Sequence, residues 1–130
     1  MKIRSQLLLA LAVCAVPAGS AFAAVDGCKN PNSDFDQVYC YTKLFIQTDA
    51  DLNKVYGELR KKLDKDGQTK LRTSELAWIK QRNGKCAENR GTEILVNLDC
   101  TVDETAARTN WLSDRLRECT AAACKNEKIQ

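Results

Sequence analysis

The sequence predicts a small all-α domain, a disulfide-stabilised bundle of three to four helices. Three observations lead to this prediction. Apolar residues recur at helical spacing over most of the chain. Residues that favour strands are confined to one short run, Ile94 to Val96. Six cysteines follow a segment that has the features of an export signal, as is typical of small secreted domains.

The first residues form the basic and apolar parts of a signal peptide. Lys2 and Arg4 are followed by an apolar run from Leu7 to Val16. The run is shorter than the roughly 20 residues that a membrane-spanning helix needs, so we expect no stable membrane span. Cys14 lies inside the run and follows Val13, where lipid attachment needs a small residue; we expect it to be discarded with the signal.

The cleavage site divides the chain into two parts. Ala21 and Ala23 occupy the −3 and −1 positions of an Ala-x-Ala site. We therefore expect residues 1–23 to be a signal peptide and residues 24–130 to form one domain, periplasmic or secreted. Without the two basic residues of the signal, 18 basic and 17 acidic residues give a net charge of +1. This balance lacks the basic footprint of a nucleic-acid-binding protein, so no nucleic acid partner is expected.

The cysteines of the mature chain predict disulfides and not a metal site. No Cys-x-x-Cys pair is present, and the chain has no histidine to complete a mixed zinc site. Six cysteines allow fifteen connectivities, which spacing alone does not resolve. The six residues are Cys28, Cys40, Cys86, Cys100, Cys119 and Cys124.

The first half of the domain predicts two helices. Val38, Tyr41 and Phe45 lie at helical spacing, and Thr48 or Asp49 is predicted to open a second helix. That helix has one apolar stripe at i, i+3, i+4, i+7 and i+11. Its members are Leu52, Val55, Tyr56, Leu59 and Leu63, and Asp66-Gly67 is predicted to end the helix.

The second half predicts two further helices around an irregular segment. One runs from about Thr69 to Arg82, and Asn83-Gly84 is predicted to end it or to kink it. Residues 85–100 are predicted to be irregular. Thr101-x-x-Glu104 has the pattern of a capping box and predicts a last helix to about Cys119, followed by a frayed polar tail.

One segment of the third helix carries a distinctive motif. Trp78, Arg82 and Cys86 fall near one helical face because they are spaced by four residues. An earlier segment reads Leu52-Asn53-x-x-Tyr56, and Cys100 is followed by Arg108 and Leu112. Taken together over about residues 28–116, these motifs resemble the LprI-like family of exported lysozyme inhibitors.

The resemblance implies a helical fold, a protein partner such as lysozyme, no cofactor and no enzymatic activity. It also implies a disulfide between Cys86 and Cys100. Cys28–Cys40 and Cys119–Cys124 are expected next because each pair is local in sequence, while Cys40–Cys119 stays open as an alternative.

Charge is distributed unevenly along the chain. Residues 54–85 contain ten basic and four acidic residues, whereas residues 86–104 contain five acidic residues and one arginine, a net charge of −4. An acidic loop pinned by a disulfide is suited to blocking a basic cleft, although an ordinary solvated loop has the same composition. The candidate partner-binding residues are Glu88, Arg90, Glu93 and Asp99.

The aromatic and arginine residues of the motifs are expected to be structural. Trp78, Trp111 and Tyr56 lie at helical spacing and are predicted to pack in the core. Arg82 and Arg108 are predicted to form fixed ion pairs or to cap carbonyl groups, with contact to a ligand as the alternative.

The composition disfavours common catalysis. The chain has no histidine to act as a general base, and its serines lie in no nucleophile motif. A carboxylate pair such as Glu88 and Glu93 could in principle cleave glycosides, but 17 acidic residues make some such pair inevitable. Together with this, the family resemblance implies an inhibitor, which we expect to cover the glycan cleft of lysozyme. An immunity or adaptor protein for another cell-envelope partner is the alternative, followed by a glycan hydrolase, and the oligomeric state is left open.

Overall fold

The computed structural model describes residues 28–129. The expected signal peptide and its cleavage site lie outside these residues. Three long helices and one β-hairpin account for most of the described chain, which confirms the all-α prediction. The elements are α1 (Asp34–Lys62), α2 (Lys65–Cys86), β1 (Ala87–Arg90), β2 (Glu93–Val96), α3 (Leu98–Ala121) and a final 3₁₀ turn (Asn126–Lys128).

Helix α1 is one continuous helix where the sequence predicted two. Ser33 caps it by accepting a hydrogen bond from the Asp36 amide at 3.1 Å. The predicted start of a new helix at Thr48 or Asp49 is wrong. The Thr48 hydroxyl donates to the Phe45 carbonyl at 3.1 Å within the helix, so this polar side chain is satisfied without interrupting it.

Helix α2 begins at Lys65, one residue before the Asp66-Gly67 pair that was predicted to end the preceding helix. Asp64 caps it, because its carboxylate accepts a hydrogen bond from the Gly67 amide at 2.8 Å. Asp66-Gly67 therefore lies in the first turn of α2. A side chain at Gly67 would collide with Asn126 of the C-terminal segment, so this glycine permits a close approach and does not end a helix.

Helix α2 also continues through Asn83-Gly84 to Cys86, and the segment predicted to be irregular forms the hairpin. The predicted capping box is wrong as well. Asn97 caps α3 by accepting from the Cys100 amide at 3.0 Å, four residues upstream of Thr101, the expected cap. Thr101 then lies inside the first turn. The Glu104 carboxylate does not complete a capping box with Thr101, because it pairs with Lys85 of α2.

The core lies between the helices, with α1 and α3 packed along much of their length. A smaller cluster of Cys28, Tyr41 and Val102 covers one end. Trp78 and Trp111 are half-buried against the main core, where the sequence placed them. The main core consists of Leu52, Leu59, Leu63, Leu71, Leu112 and Ile129.

The three disulfides of residues 28–129 join Cys28 to Cys40, Cys86 to Cys100 and Cys119 to Cys124. These pairings confirm the one implied by the family resemblance and the two expected from locality. The alternative pairing of Cys40 with Cys119 does not occur.

The C-terminal segment is ordered, so the predicted frayed tail is wrong. The Cys119–Cys124 disulfide turns the chain back towards the helices after α3 ends. The Asn126 side chain donates to the Asp64 carboxylate at 2.9 Å, and Ile129 is only 4% exposed within the main core. One apolar residue at the end of a polar segment is therefore enough to anchor it.

The anchoring of the tail predicts a large stability loss on Ile129→Ala. We expect the free energy of unfolding to fall by about 2–5 kcal/mol, because the change leaves a cavity in the core. Ile46→Ala is the matched control, since Ile46 is 63% exposed on α1 and its truncation should cost less than about 0.5 kcal/mol. Chemical denaturation measures both. Equal stabilities for the two variants would contradict the anchoring role.

Candidate functional site

The β-hairpin is exposed along both strands, and only Ala87 at its base is half-buried. It connects the end of α2 to the start of α3 and turns at Gly91, whose φ of 76° suits glycine. The Asn97 amide donates to the Cys86 carbonyl at 2.8 Å and extends the ladder to the hairpin base. There the Cys86–Cys100 disulfide joins the two helices covalently, so both ends of the hairpin are held.

The pairing register gives the hairpin two chemically different faces. Glu88 pairs with Leu95 and Arg90 pairs with Glu93, and side chains of directly paired residues share a face. We call this the charged face. The opposite face, which we call the apolar face, consists of the remaining two pairs, Ala87 with Val96 and Asn89 with Ile94.

Three of the four predicted partner-binding residues lie on the charged face. Arg90 donates to the Glu88 carboxylate at 3.0 Å, and both side chains are more than half exposed. Glu93 is also exposed and makes no ion pair among the described residues. The structure therefore brings Glu88, Arg90 and Glu93 together on the surface, with one carboxylate already neutralised by the arginine.

Asp99 lies apart from these three residues, in the first turn of α3. It is half-buried at the base of the hairpin, and its Oδ1 atom makes no hydrogen bond. Burial raises the pKa of the Tyr41 hydroxyl above its usual 10.0, and the charge of Asp99 and a hydrogen bond to it raise that pKa further. Asp99 thus interacts with the smaller core cluster through Tyr41.

The Trp78–Arg82–Cys86 motif lies in the last turns of α2, which lead into the hairpin. The Arg82 guanidinium lies 4.9 Å from the Trp78 ring centre and 5.6 Å from that of Phe45 on α1. Arg82 also donates to Asn83 and makes a long contact of 3.4 Å with the Thr105 hydroxyl. Among the described residues Arg82 forms neither the predicted ion pair nor a bond to a backbone carbonyl. Its guanidinium instead stacks between aromatic rings of two helices.

Arg108 forms the buried link between α2 and α3. Its Nε donates to the Glu75 carboxylate at 3.0 Å, and the two side chains are 8% and 11% exposed. A second nitrogen donates to the Ser74 hydroxyl at 2.8 Å, and the guanidinium lies 4.3 Å from the Trp111 ring centre. Arg108 therefore makes the fixed ion pair that the sequence suggested, within an aromatic setting.

The earlier motif is structural in its apolar members. Leu52 is buried in the main core and Tyr56 is half-buried against it. Asn53 is exposed and donates to the Asp49 carbonyl at 2.8 Å and to its carboxylate at 2.9 Å, within α1.

Sequence reasoning missed two features that matter here. Glu75 was not singled out, although it lies three residues before Trp78 and seven before Arg82, which is the spacing of one helical face. The second feature is the exposure of the apolar residues of β2, which depends on how the hairpin stands relative to the helices. Local sequence contains no signal for that orientation.

The hairpin offers no metal site or buried catalytic acid. No group of three or more metal-ligating side chains occurs in the described part of the chain. Glu88 and Glu93 are both exposed, whereas a glycosidase acid needs an apolar environment that keeps it protonated. No helix among residues 28–129 is long and apolar enough to cross a membrane.

Comparison with known proteins identifies the family. Residues 28–112 match the family model described as lysozyme inhibitor LprI. The chain belongs to the LprI family. No curated protein and no solved structure matches the chain significantly.

The region that matches the LprI family model contains most of the structural features described above. The match includes the Arg108–Glu75 pair, the aromatic stack and the complete hairpin. It ends before Cys119 and Cys124, so the disulfide that anchors the C-terminal tail lies beyond the matched region.

The buried ion pair predicts a strong effect of Glu75→Ala. We expect the free energy of unfolding to fall by about 3–5 kcal/mol, because the change leaves the Arg108 charge buried without its partner. Glu58→Ala is the matched control, since Glu58 is exposed on α1 and its loss should cost less than about 0.5 kcal/mol. If chemical denaturation finds the two variants equally stable, Glu75 does not hold α2 against α3.

Proposed function

We propose that this LprI-family protein is exported to the periplasm or secreted after cleavage near Ala23, and that it inhibits lysozyme as a non-catalytic binding protein. In this proposal the hairpin between Cys86 and Cys100 enters the glycan cleft and blocks it sterically. Family membership supports a lysozyme inhibitor role, and the three disulfides suit an oxidising compartment outside the cytoplasm.

The observation that carries the steric mechanism is the construction of the hairpin. Both strands are exposed along almost their whole length, while both ends are tied to rigid helices and to each other. A narrow element held in this way fills a concave site without first having to become ordered. Preorganisation of this kind lowers the entropic cost of binding.

The charge of the hairpin region supports attraction to a basic partner. The charged face presents Glu88, Arg90 and Glu93, and Asp99 adds negative charge at the base. Residues 86–104 have a net charge of −4. In this proposal, opposite charge speeds the encounter with a lysozyme whose cleft is basic, and added salt slows it.

A muramidase assay tests the proposed function directly. Purified protein comprising residues 24–130 is mixed with a basic egg-white lysozyme, and the lysis of cell-wall substrate is followed over a range of molar ratios. We expect inhibition that saturates near one inhibitor per enzyme, because one hairpin occupies one cleft. Undiminished lysis at a large molar excess of the protein would contradict the proposal.

Removal of the disulfide at the hairpin base should weaken inhibition. We expect Cys86→Ser with Cys100→Ser to raise the inhibitory concentration roughly tenfold, because binding must then order the hairpin. The matched control is Cys119→Ser with Cys124→Ser, a change at the other end of α3, roughly 28 Å away along the helix axis.

The control variant should inhibit like the wild-type protein. Circular dichroism confirms that each variant is folded at the assay temperature. A larger loss of inhibition in the control than in the hairpin variant would show that the hairpin base has no special role in binding.

A further inference from the structure

We infer that the apolar face of the hairpin, with Ile94 and Val96 at its centre, makes the contacts that keep lysozyme bound. This inference rests on the proposed function. It assigns different tasks to the two faces of the hairpin: the charged face attracts the enzyme, and the apolar face retains it.

The fold itself does not account for these apolar side chains. A hairpin on a small domain commonly buries one face against the body, but every residue of β2 is exposed. Ile94 is 68% exposed and Val96 is 55% exposed. Threonine at both positions would favour the strand as well and would leave a polar surface. The apolar character therefore serves something other than folding.

The two faces of the hairpin together offer the chemistry of a protein interface, an apolar surface and a charged one. Ile94 and Val96 lie next to each other on one face, with Asn89 as a polar neighbour opposite Ile94. The exposed carboxylates Glu88 and Glu93 lie on the other face of the same narrow element. Interfaces commonly combine an apolar centre, which carries most of the binding energy, with a charged and solvated rim.

Charge selects lysozyme over a second copy of this chain as the occupant. A symmetric contact between two hairpins would bring like surfaces together. Each hairpin has a net charge of −1 from Glu88, Arg90 and Glu93, so that two copies would repel each other. The basic cleft of a lysozyme offers the opposite sign. A convex hairpin that is held by the Cys86–Cys100 disulfide also fits a cleft better than a flat surface.

The two faces should affect different rates of the same complex. Charges at a rim mainly change the association rate and its dependence on salt. Desolvated apolar contacts at the centre mainly change the dissociation rate, which accounts for most affinity differences among variants of one interface. The inference therefore predicts that changes on the two faces affect different rate constants. A hairpin that bound through its charges alone would not show this difference.

The experiment compares three variants of the protein comprising residues 24–130. The first carries Ile94→Thr with Val96→Thr, which keeps the branched side chains that strands favour. The second carries Glu88→Gln with Glu93→Gln on the charged face. The third, Ile46→Thr, is the matched control, because Ile46 is 63% exposed on α1.

Binding to immobilised egg-white lysozyme gives the rate constants, and the muramidase assay measures inhibition in parallel. We expect the apolar-face variant to dissociate at least about tenfold faster, with its association rate changed less than about twofold. The charged-face variant should associate more slowly at low salt and dissociate like the wild-type protein. The Ile46→Thr control should match the wild-type protein in both rates.

Several results would overturn the inference. If the wild-type protein inhibits and the apolar-face variant dissociates no faster, the apolar face is not the retaining surface, while the proposed function stands. If Ile46→Thr weakens binding as strongly, the effect comes from losing any exposed apolar side chain and is not specific to the hairpin. If sedimentation shows a wild-type dimer that the apolar-face variant separates, the face joins two copies. If the wild-type protein neither binds nor inhibits lysozyme, the proposed function fails and the inference fails with it.

Discussion

The buried Arg108–Glu75 ion pair is the interaction on which the arrangement of the other elements depends. It joins α3 to α2 at a point where both side chains are almost inaccessible to water. Because the Arg108 guanidinium also lies over the Trp111 ring, its position is set by packing as well as by charge. A buried pair of this kind contributes little net stability compared with apolar residues, but it strongly disfavours arrangements that separate its partners.

The geometry of the hairpin follows from that link. The hairpin spans the end of α2 and the start of α3, so its direction is determined by how these two helices are placed. The aromatic stack of Trp78, Arg82 and Phe45 ties α2 to α1 on the same side. The Cys86–Cys100 disulfide then closes the base. An exposed two-stranded hairpin is marginal in isolation, and these connections replace the buried face that it lacks.

The C-terminal tail enlarges the core of this small domain. A domain of about 100 residues buries a modest fraction of its surface, so one additional apolar residue contributes measurably. Ile129 completes the main core after the Cys119–Cys124 disulfide has reversed the chain. Asn126 fits against Gly67 at the start of α2, where a larger residue would collide with it. The tail is thus part of the domain, although it lies beyond the family match.

Several features could be predicted from the sequence because they depend on residues close together in the chain. Helical spacing predicted the helices and the apolar stripe of α1. The short intervals between cysteines predicted two of the disulfides. The motif from Trp78 to Cys86 carried the family resemblance and, with it, the third disulfide. Of the four residues predicted to bind a partner, Glu88, Arg90 and Glu93 lie on one face of the hairpin, whereas Asp99 lies apart in α3.

Tertiary structure decided where helices begin and end, and which surface is exposed. Thr48, Gly67 and Thr101 carry local signals for caps or stops, but a helix continues through such residues when packing stabilises both sides of them. The same reason explains why Asp99 turned towards Tyr41 and why Glu75 acquired a partner 33 residues away. The sequence by itself therefore determined the covalent frame, the helical character and the family, whereas the exposed apolar face of the hairpin arose only from the packing of α2 against α3.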